Sequence, residues 1–158
     1  MPVRVVVADL TIDRNSKTPL VILQETGGGR KLPICIGLME ASAIAAAKEN
    51  LVLPRPMTHD LLRNIMGELG GVLESVLVCD LQDGTYFAKL KLRVNGQLLE
   101  IDSRPSDAVA LALRTQAPIW VSESVFEEAG IEQEQEGPEK WAKFLKDLDP
   151  DAFGKYKM

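Results

Sequence analysis

The side chains best able to do chemistry concentrate in two short stretches, residues 54–60 (PRPMTHD) and residues 101–107 (IDSRPSD). The first stretch contains His59, the single histidine of the chain and the side chain best suited to proton transfer near neutral pH. The second stretch crowds Asp102, Arg104 and Asp107 around one polar elbow. Each stretch directly precedes a segment with helical character, so we expect the two elbows together to form the functional site.

These residue types fit hydrolysis of a phosphodiester bond, which needs an activated water, neutralised phosphate charge and a proton for the leaving oxygen. The predicted catalytic residues are His59, Asp60, Asp102, Arg104 and Asp107. Because guanidinium groups bind phosphate oxygens as a planar fork, Arg55 and Arg104 are the predicted phosphate-binding residues.

A divalent metal is a second expectation for the same elbows. Carboxylate oxygens are the ligands that Mg²⁺ and Mn²⁺ prefer. The predicted metal ligands are Asp102, Asp107 and Glu40, and no organic cofactor is expected.

A structural role explains the same residues without catalysis. Arg104 would form a salt bridge with Asp60 or Asp107, and His59 would donate to a backbone carbonyl. Glu40 would then only stabilise the positive N-terminal end of the dipole of its helix. The residues alone therefore leave two alternatives open, a phosphodiesterase and a noncatalytic module for self-association or partner binding.

Two hairpin signals, Asp83-Gly84 and Asn95-Gly96, predict a three-stranded antiparallel meander over residues 72–103. A two-residue turn at Asn95-Gly96 places Leu92 opposite Leu99 and Leu90 opposite Ile101, and we expect these pairs to form the core face. The same register places Lys89 opposite Asp102, where the lysine would compete with a metal ion for the carboxylate.

The remaining pattern predicts an α+β fold. Short β-branched runs at residues 2–10, 19–24 and 32–36 predict strands, and residues 37–50, 58–69 and 105–113 predict three helices. The expected architecture is a mixed, largely antiparallel sheet with the meander packed against three helices. Residues 1–130 would form the main domain, and residues 131–158 a polar linker and a short amphipathic C-terminal helix.

Composition narrows the functional classes. A net charge of −5 argues against a broad cationic surface for nucleic acid, although metal-binding carboxylates would also make a nuclease acidic. Cys35 and Cys79 lie in apolar runs without metal-site spacing, which predicts buried free thiols. No apolar run reaches the roughly 18 residues of a membrane span. We therefore expect a cytoplasmic protein with no membrane association.

Three segments resemble the bifunctional nuclease domain family of bacteria and plants. They are residues 32–44 (LPICIGLMEASAI), 54–62 (PRPMTHDLL) and 101–121 (IDSRPSDAVALALRTQAPIWV). The matching polar positions are Glu40, Arg55, Thr58, His59, Asp60, Asp102, Arg104, Ser106 and Asp107. The resemblance implies a mixed α+β fold, a nuclease or hydrolase activity on DNA and RNA, and self-association. It thus implies single-stranded or duplex nucleic acid as substrate and a homo-oligomer.

Overall fold

Two three-stranded antiparallel meanders make up most of the sheet in the computed structural model, which describes residues 1–132. The first contains β1 (Val3–Ile12), β2 (Pro19–Glu25) and β3 (Lys31–Cys35), and the second contains β4 (Gly71–Gln82), β5 (Thr85–Val94) and β6 (Gln97–Ser103). A short strand, β7 (Ile119–Val121), pairs antiparallel with β1 and parallel with β4. The sheet order is therefore β3-β2-β1-β7-β4-β5-β6.

Four helices accompany the sheet: α1 (Leu38–Lys48), α2 (Thr58–Glu68), α3 (Pro105–Thr115) and α4 (Glu123–Ala129). Buried side chains of α1, α3 and α4 share one core cluster with inward residues of β1, β4, β5 and β7. Small side chains let α3 sit deep in this cluster, because Ala108, Ala110 and Ala112 are at most 1% exposed. The helices therefore cover one face of the sheet, and the α+β prediction is confirmed.

The predicted hairpin turns and register are confirmed. Asn95 and Gly96 have φ values of 51° and 79°, the positive pair that a tight two-residue turn between twisted strands requires. Leu92 then pairs with Leu99, and Lys89 with Asp102. In the described part of the chain, however, no ion pair joins Lys89 to Asp102.

The predicted core face of β6 is wrong at its outer edge. Leu99 and Ile101 face the helices, as their partners do, but each remains 41% exposed. β6 is the last strand of the sheet, so these side chains have neighbours on one side alone.

Two further expectations need correction, and a third lies outside the described residues. Cys35 is exposed and Cys79 is half-buried, so neither is the buried thiol that the apolar runs suggested. Serine and threonine are favoured N-caps, so the sequence predicts Thr58 as the N-cap of α2 and Ser103 or Ser106 as that of α3. The structure instead has Met57 as the N-cap of α2, with Thr58 as its first residue, and Arg104 as the N-cap of α3. The predicted C-terminal helix lies outside the described residues, which end just after a bridge between Ile131 and Lys31.

Candidate functional site

The first turns of α1, α2 and α3 meet at one open cavity of about 170 Å³. Its lining residues are Met39, Glu40, Ala43, Met57, Thr58, His59, Arg104 and Asp107. Pro105 at the first position of α3 fixes the backbone angle with which that helix begins. The two polar elbows of the sequence therefore do come together, and α1 supplies a third wall.

His59 and Asp107 form the centre of the site. Nε2 of His59 lies 2.8 Å from Oδ1 of Asp107, which joins the start of α2 to the start of α3. The imidazole is only 6% exposed, and its buried Nδ1 has no hydrogen-bond partner among the described residues 1–132. His59 lines the cavity, and its Nε2 edge is held against the half-buried Asp107 carboxylate.

Arg104 bridges the two carboxylates of the cavity. Its Nε donates to Oδ2 of Asp107 at 2.8 Å, and its Nη1 lies 2.9 Å from Oε1 of Glu40. Yet 64% of the Arg104 side chain is exposed, so the guanidinium still presents a face to solvent. Glu40 and Asp107 bring two negative charges against this single positive charge, and the group is anionic before the imidazole is counted.

The pKa of the Asp107 carboxyl lies below its usual value. Burial alone would raise this pKa, but hydrogen bonds from Arg104 and His59 stabilise the ionised form and outweigh burial. Asp107 is therefore a carboxylate at neutral pH, able to accept a further hydrogen bond on its exposed side.

Asp60 faces a different partner from the one expected. Its Oδ1 accepts from Nε of Arg114 at 2.7 Å, and its Oδ2 accepts from the backbone N–H of Met57 at 3.0 Å. The same guanidinium donates to the carbonyls of Ala43 at 3.0 Å and Ala110 at 2.9 Å. Arg114 thus ties α1, α2 and α3 together directly behind the cavity.

Arg114 escaped prediction because it lies at the far end of α3, more than two turns from the polar elbow. A cation there looks like an ordinary partner of the helix C-terminus. Its side chain is only 4% exposed, and buried arginine requires several acceptors. The sequence signal that could have revealed it is an arginine near the end of an otherwise apolar helix.

Gly37 prepares the position of Glu40. A Cβ at Gly37 would collide with the Glu40 carboxylate, which folds back over the start of α1. Glycine at this N-cap therefore leaves room for the carboxylate to reach Arg104.

Three predicted site residues do not line the cavity, and Asp60, which faces Arg114, is one of them. Asp102 is exposed on β6, one residue beyond the inward-facing Ile101, so it points to the opposite face of the sheet. Arg55 is exposed in the segment before α2 and is absent from the cavity lining.

The donor set does not fit a metal ion as arranged. Across residues 1–132, no three His, Cys, Asp or Glu side chains gather in a way that could hold one. Glu40 and Asp107 do share the cavity, but both direct an oxygen at Arg104, and Asp102 lies elsewhere. The Mg²⁺ or Mn²⁺ site stays a prediction.

Comparison with known proteins places this arrangement in a family. The model of the bifunctional nuclease domain matches residues 21–134, which include all three walls of the cavity. The chain belongs to the bifunctional nuclease domain family. An uncharacterized protein of Mycobacterium tuberculosis is 38% identical over 159 residues, covering 93% of this chain and 95% of its own.

Plant relatives of the bifunctional nuclease domain carry the activity in their names. Bifunctional nuclease 1 of Arabidopsis thaliana is 32% identical over 106 residues, covering 65% of this chain and 33% of its own. Bifunctional nuclease of Oryza minuta is 25% identical over 122 residues, covering 75% and 37%. The match thus spans about a third of each plant protein.

Within residues 1–132, no helix is long and apolar enough to cross a membrane.

Proposed function

We propose that this chain hydrolyses phosphodiester bonds in DNA and RNA, and that the cavity around Asp107 is its reaction centre. The observation that carries the proposal is the direct contact of three predicted catalytic residues, His59, Arg104 and Asp107, at one open cavity. Membership of the family and the names of the plant relatives support the same activity. We also expect the protein to be cytoplasmic.

The backbone around the cavity favours a phosphate group. The N-caps of α1 and α3, Gly37 and Arg104, supply no side-chain hydrogen bond to their helices. At the start of α2, Asp60 accepts from the backbone N–H of the N-cap residue Met57. First-turn N–H groups and the positive ends of three helix dipoles therefore face one cavity, an arrangement that attracts anions. This backbone field opposes the negative charge of Glu40 and Asp107.

In the proposed reaction, the oxygen of a water molecule bonds to phosphorus as the bond from phosphorus to one sugar oxygen breaks, while Arg104 neutralises the phosphate. The water gives up a proton to Asp107, and the departing sugar oxygen takes a proton from solvent. The exposed guanidinium turns from Glu40 to a phosphate oxygen, and its remaining contact with Asp107 keeps it over the cavity. Asp107 accepts a hydrogen bond from the attacking water and orients it. His59 acts on Asp107, holding the carboxylate in position from the buried side.

A second candidate function is noncatalytic. The observation favouring it is that the charged groups of the cavity already pair with one another, with Arg104 held between two carboxylates. Such a network would fix the three helix starts and present them to a protein partner. The same variants distinguish the two functions. A noncatalytic protein does not cleave nucleic acid, so substitutions in the network would change its stability or partner binding but no cleavage rate.

A cleavage assay tests the nuclease proposal. Purified wild type is compared with Asp107→Asn and His59→Ala on end-labelled single-stranded DNA and RNA, with Mg²⁺, Mn²⁺ or EDTA. We expect Asp107→Asn to slow cleavage roughly 100-fold or more, because an amide cannot orient water as a carboxylate does. Circular dichroism and thermal melting establish that each variant folds.

Glu40→Gln and Glu49→Gln are a matched pair at the two ends of α1. Glu40→Gln weakens a contact with Arg104 and is expected to alter the cleavage rate. Glu49→Gln lies at the C-cap, at the far end of the helix, and is expected to leave the cleavage rate unchanged. Equal cleavage by wild type and Asp107→Asn would identify a contaminating nuclease. Absence of cleavage in every metal condition would favour the noncatalytic candidate.

A further inference from the structure

A second open cavity lies at the other end of α1 and α3. Its volume is about 230 Å³, against about 170 Å³ for the cavity at Asp107. Its walls are the last turns of α1 and α3 and the side of α2 that carries Asp60 and Arg63. We call it the rear cavity, and we call the cavity at Asp107 the front cavity.

The two cavities lie in series along one side of α1. Glu40 and Ala43 line the front cavity, and Ala47 and Asn50 line the rear one. Positions 40, 43, 47 and 50 recur every three or four residues, so they share one side of the helix. The centres of the two pairs are about 10 Å apart along its axis. Met57 lines both cavities, so a ligand that passes over this side chain can occupy both.

The rear cavity carries little net charge. Asp60 and Arg114 form an ion pair of 2.7 Å on its wall. Arg63 also lines the cavity, and the negative ends of the α1 and α3 dipoles, each about half an elementary charge, oppose it. The front cavity instead receives three positive helix ends and the exposed Arg104 guanidinium. A phosphate group is therefore favoured in the front cavity and a neutral polar group in the rear one.

The rear cavity combines apolar walls with hydrogen-bonding groups. Ala46, Ala47 and Leu113 supply aliphatic surface, and Asn50 and Gln116 add side-chain amides. A flat base can pack on aliphatic side chains while its edge meets polar groups, as bases bound by proteins do. The volume of about 230 Å³ lies below the roughly 300 Å³ at which pockets for drug-sized ligands begin, so it suits one ring system.

Asp60 gives the rear cavity a preference for a hydrogen-bond donor. Its oxygens accept one bond each within the protein, from Arg114 and from the backbone N–H of Met57. A carboxylate has about four acceptor sites, and this side chain is 24% exposed, so it can also accept from a ligand. Cytosine presents an amino group at the position where uracil presents a carbonyl oxygen. Asp60 therefore favours cytosine over uracil, and other bases with an amino group likewise.

We propose that the rear cavity is a subsite for a nucleobase with an exocyclic amino group, carried by the nucleotide whose phosphate occupies the front cavity. This assignment rests on the proposed nuclease function, because it needs a phosphate held at Arg104. The separation of about 10 Å along α1 matches the reach from the phosphate of a nucleotide to the far edge of its base. The base passes Met57, packs on Leu113 and donates its amino group to Asp60.

Binding of mononucleotides tests the subsite without any cleavage. Cytidine 5′-monophosphate and uridine 5′-monophosphate differ at the group that Asp60 would bind, and ribose 5-phosphate lacks the base. In isothermal titration calorimetry of the full chain, the cytidine nucleotide should bind about tenfold more tightly than the uridine nucleotide, the effect of about one hydrogen bond. Ribose 5-phosphate should bind more weakly than either. The ring current of cytosine should also shift the methyl NMR signals of Ala46, Ala47 and Leu113, which ribose 5-phosphate should leave in place.

Ala47→Leu and Ala45→Leu are a matched pair on α1. Both introduce a strong helix former in a half-buried position, but of the two only Ala47 lines the rear cavity. Ala47→Leu fills the cavity and should lower the affinity for cytidine 5′-monophosphate to that for ribose 5-phosphate. Ala45→Leu should keep the difference between these ligands. If Ala47→Leu does not fold, the methyl shifts of the wild type still decide.

The outcomes separate the subsite from the nuclease function. Equal affinities for the three ligands, or methyl signals that cytidine 5′-monophosphate does not move, would overturn the subsite. Cleavage of RNA by a wild type that shows no such selectivity would overturn the subsite alone. Selective binding of the cytidine nucleotide without cleavage in any metal condition would support the subsite and refute hydrolysis.

Discussion

At the scale of single residues, the site consists of two linked charge networks. In front, Arg104 joins Glu40 to Asp107, and Asp107 continues to His59. Behind it, Arg114 joins Asp60 to backbone carbonyls of two helices. Because His59 and Asp60 are consecutive, the rear network holds the same first turn of α2 that carries the imidazole.

Removing the Arg114 guanidinium should therefore destabilise the domain and displace His59. We expect Arg114→Met to lower the free energy of unfolding by about 3–5 kcal/mol, since it leaves the Asp60 charge without its buried partner. Arg114→Lys retains the charge but loses the fork, and should recover part of this loss. Urea unfolding measures the first effect, and the imidazole NMR signal of His59 reports the second.

Asp60→Asn/Arg114→Met is the control for that experiment. Removing both charges should cost less than the sum of the separate changes if the pair is coupled. The comparison uses Asp60→Asn, Arg114→Met and the double variant. If the losses of unfolding free energy in the two single variants add up to the loss in the double variant, Arg114 acts on the carbonyls alone.

At the scale of elements, local signals predicted most of the fold and long-range placement escaped them. The turns at Asp83-Gly84 and Asn95-Gly96 specified the second meander, because positive φ values there leave few alternatives. The position of β7 was not predictable, since a three-residue strand has no periodicity and pairs with residues far away in the chain. The first meander was predicted only as separate strands.

The candidate site was predicted in the same uneven way. The two elbows were expected to meet, and the contact between Arg104 and Asp107 was an anticipated alternative that the structure confirms. The contact with Glu40 was not specified, because it depends on how α1 packs against α3. Asp60 was the other alternative partner for Arg104, and in the structure it pairs with Arg114.

The alternation of β6 separates Asp102 from the cavity and gives a direct prediction. Asp102→Asn should leave cleavage within about twofold of wild type, because its carboxylate points to the face of the sheet without helices. Initial rates on the same labelled RNA measure this. A loss comparable to that of Asp107→Asn would restore Asp102 to the reaction centre.

At the scale of the whole molecule, carboxylates paired with arginine make folding sensitive to acid. Hydrogen bonds from Arg30 lower the pKa of Glu25 and of Glu123, and this cluster ties the β2–β3 hairpin to α4. The pKa of Asp60 is also lowered, although burial acts against the shift that Met57 and Arg114 produce. The folded state therefore binds fewer protons in acid than the unfolded state does.

We accordingly expect stability to be constant between about pH 5 and 8 and to fall as pH drops below about 4, through the lowered folded-state pKa values. Urea unfolding at a series of pH values measures the slope. Glu25→Gln should flatten the slope, because it removes one carboxyl whose pKa changes on folding. A free energy of unfolding independent of pH down to pH 3 would contradict this account.

The position of β7 between the two meanders also orders events during synthesis. Each meander can pair its own strands as soon as they leave the ribosome, since those contacts are local in sequence. Within residues 1–132, strand pairing joins the two meanders only through Ile119–Val121, which is made after both. A nascent chain that ends before β7 therefore contains two half-sheets that are not yet joined. The three residues of β7 then complete the sheet.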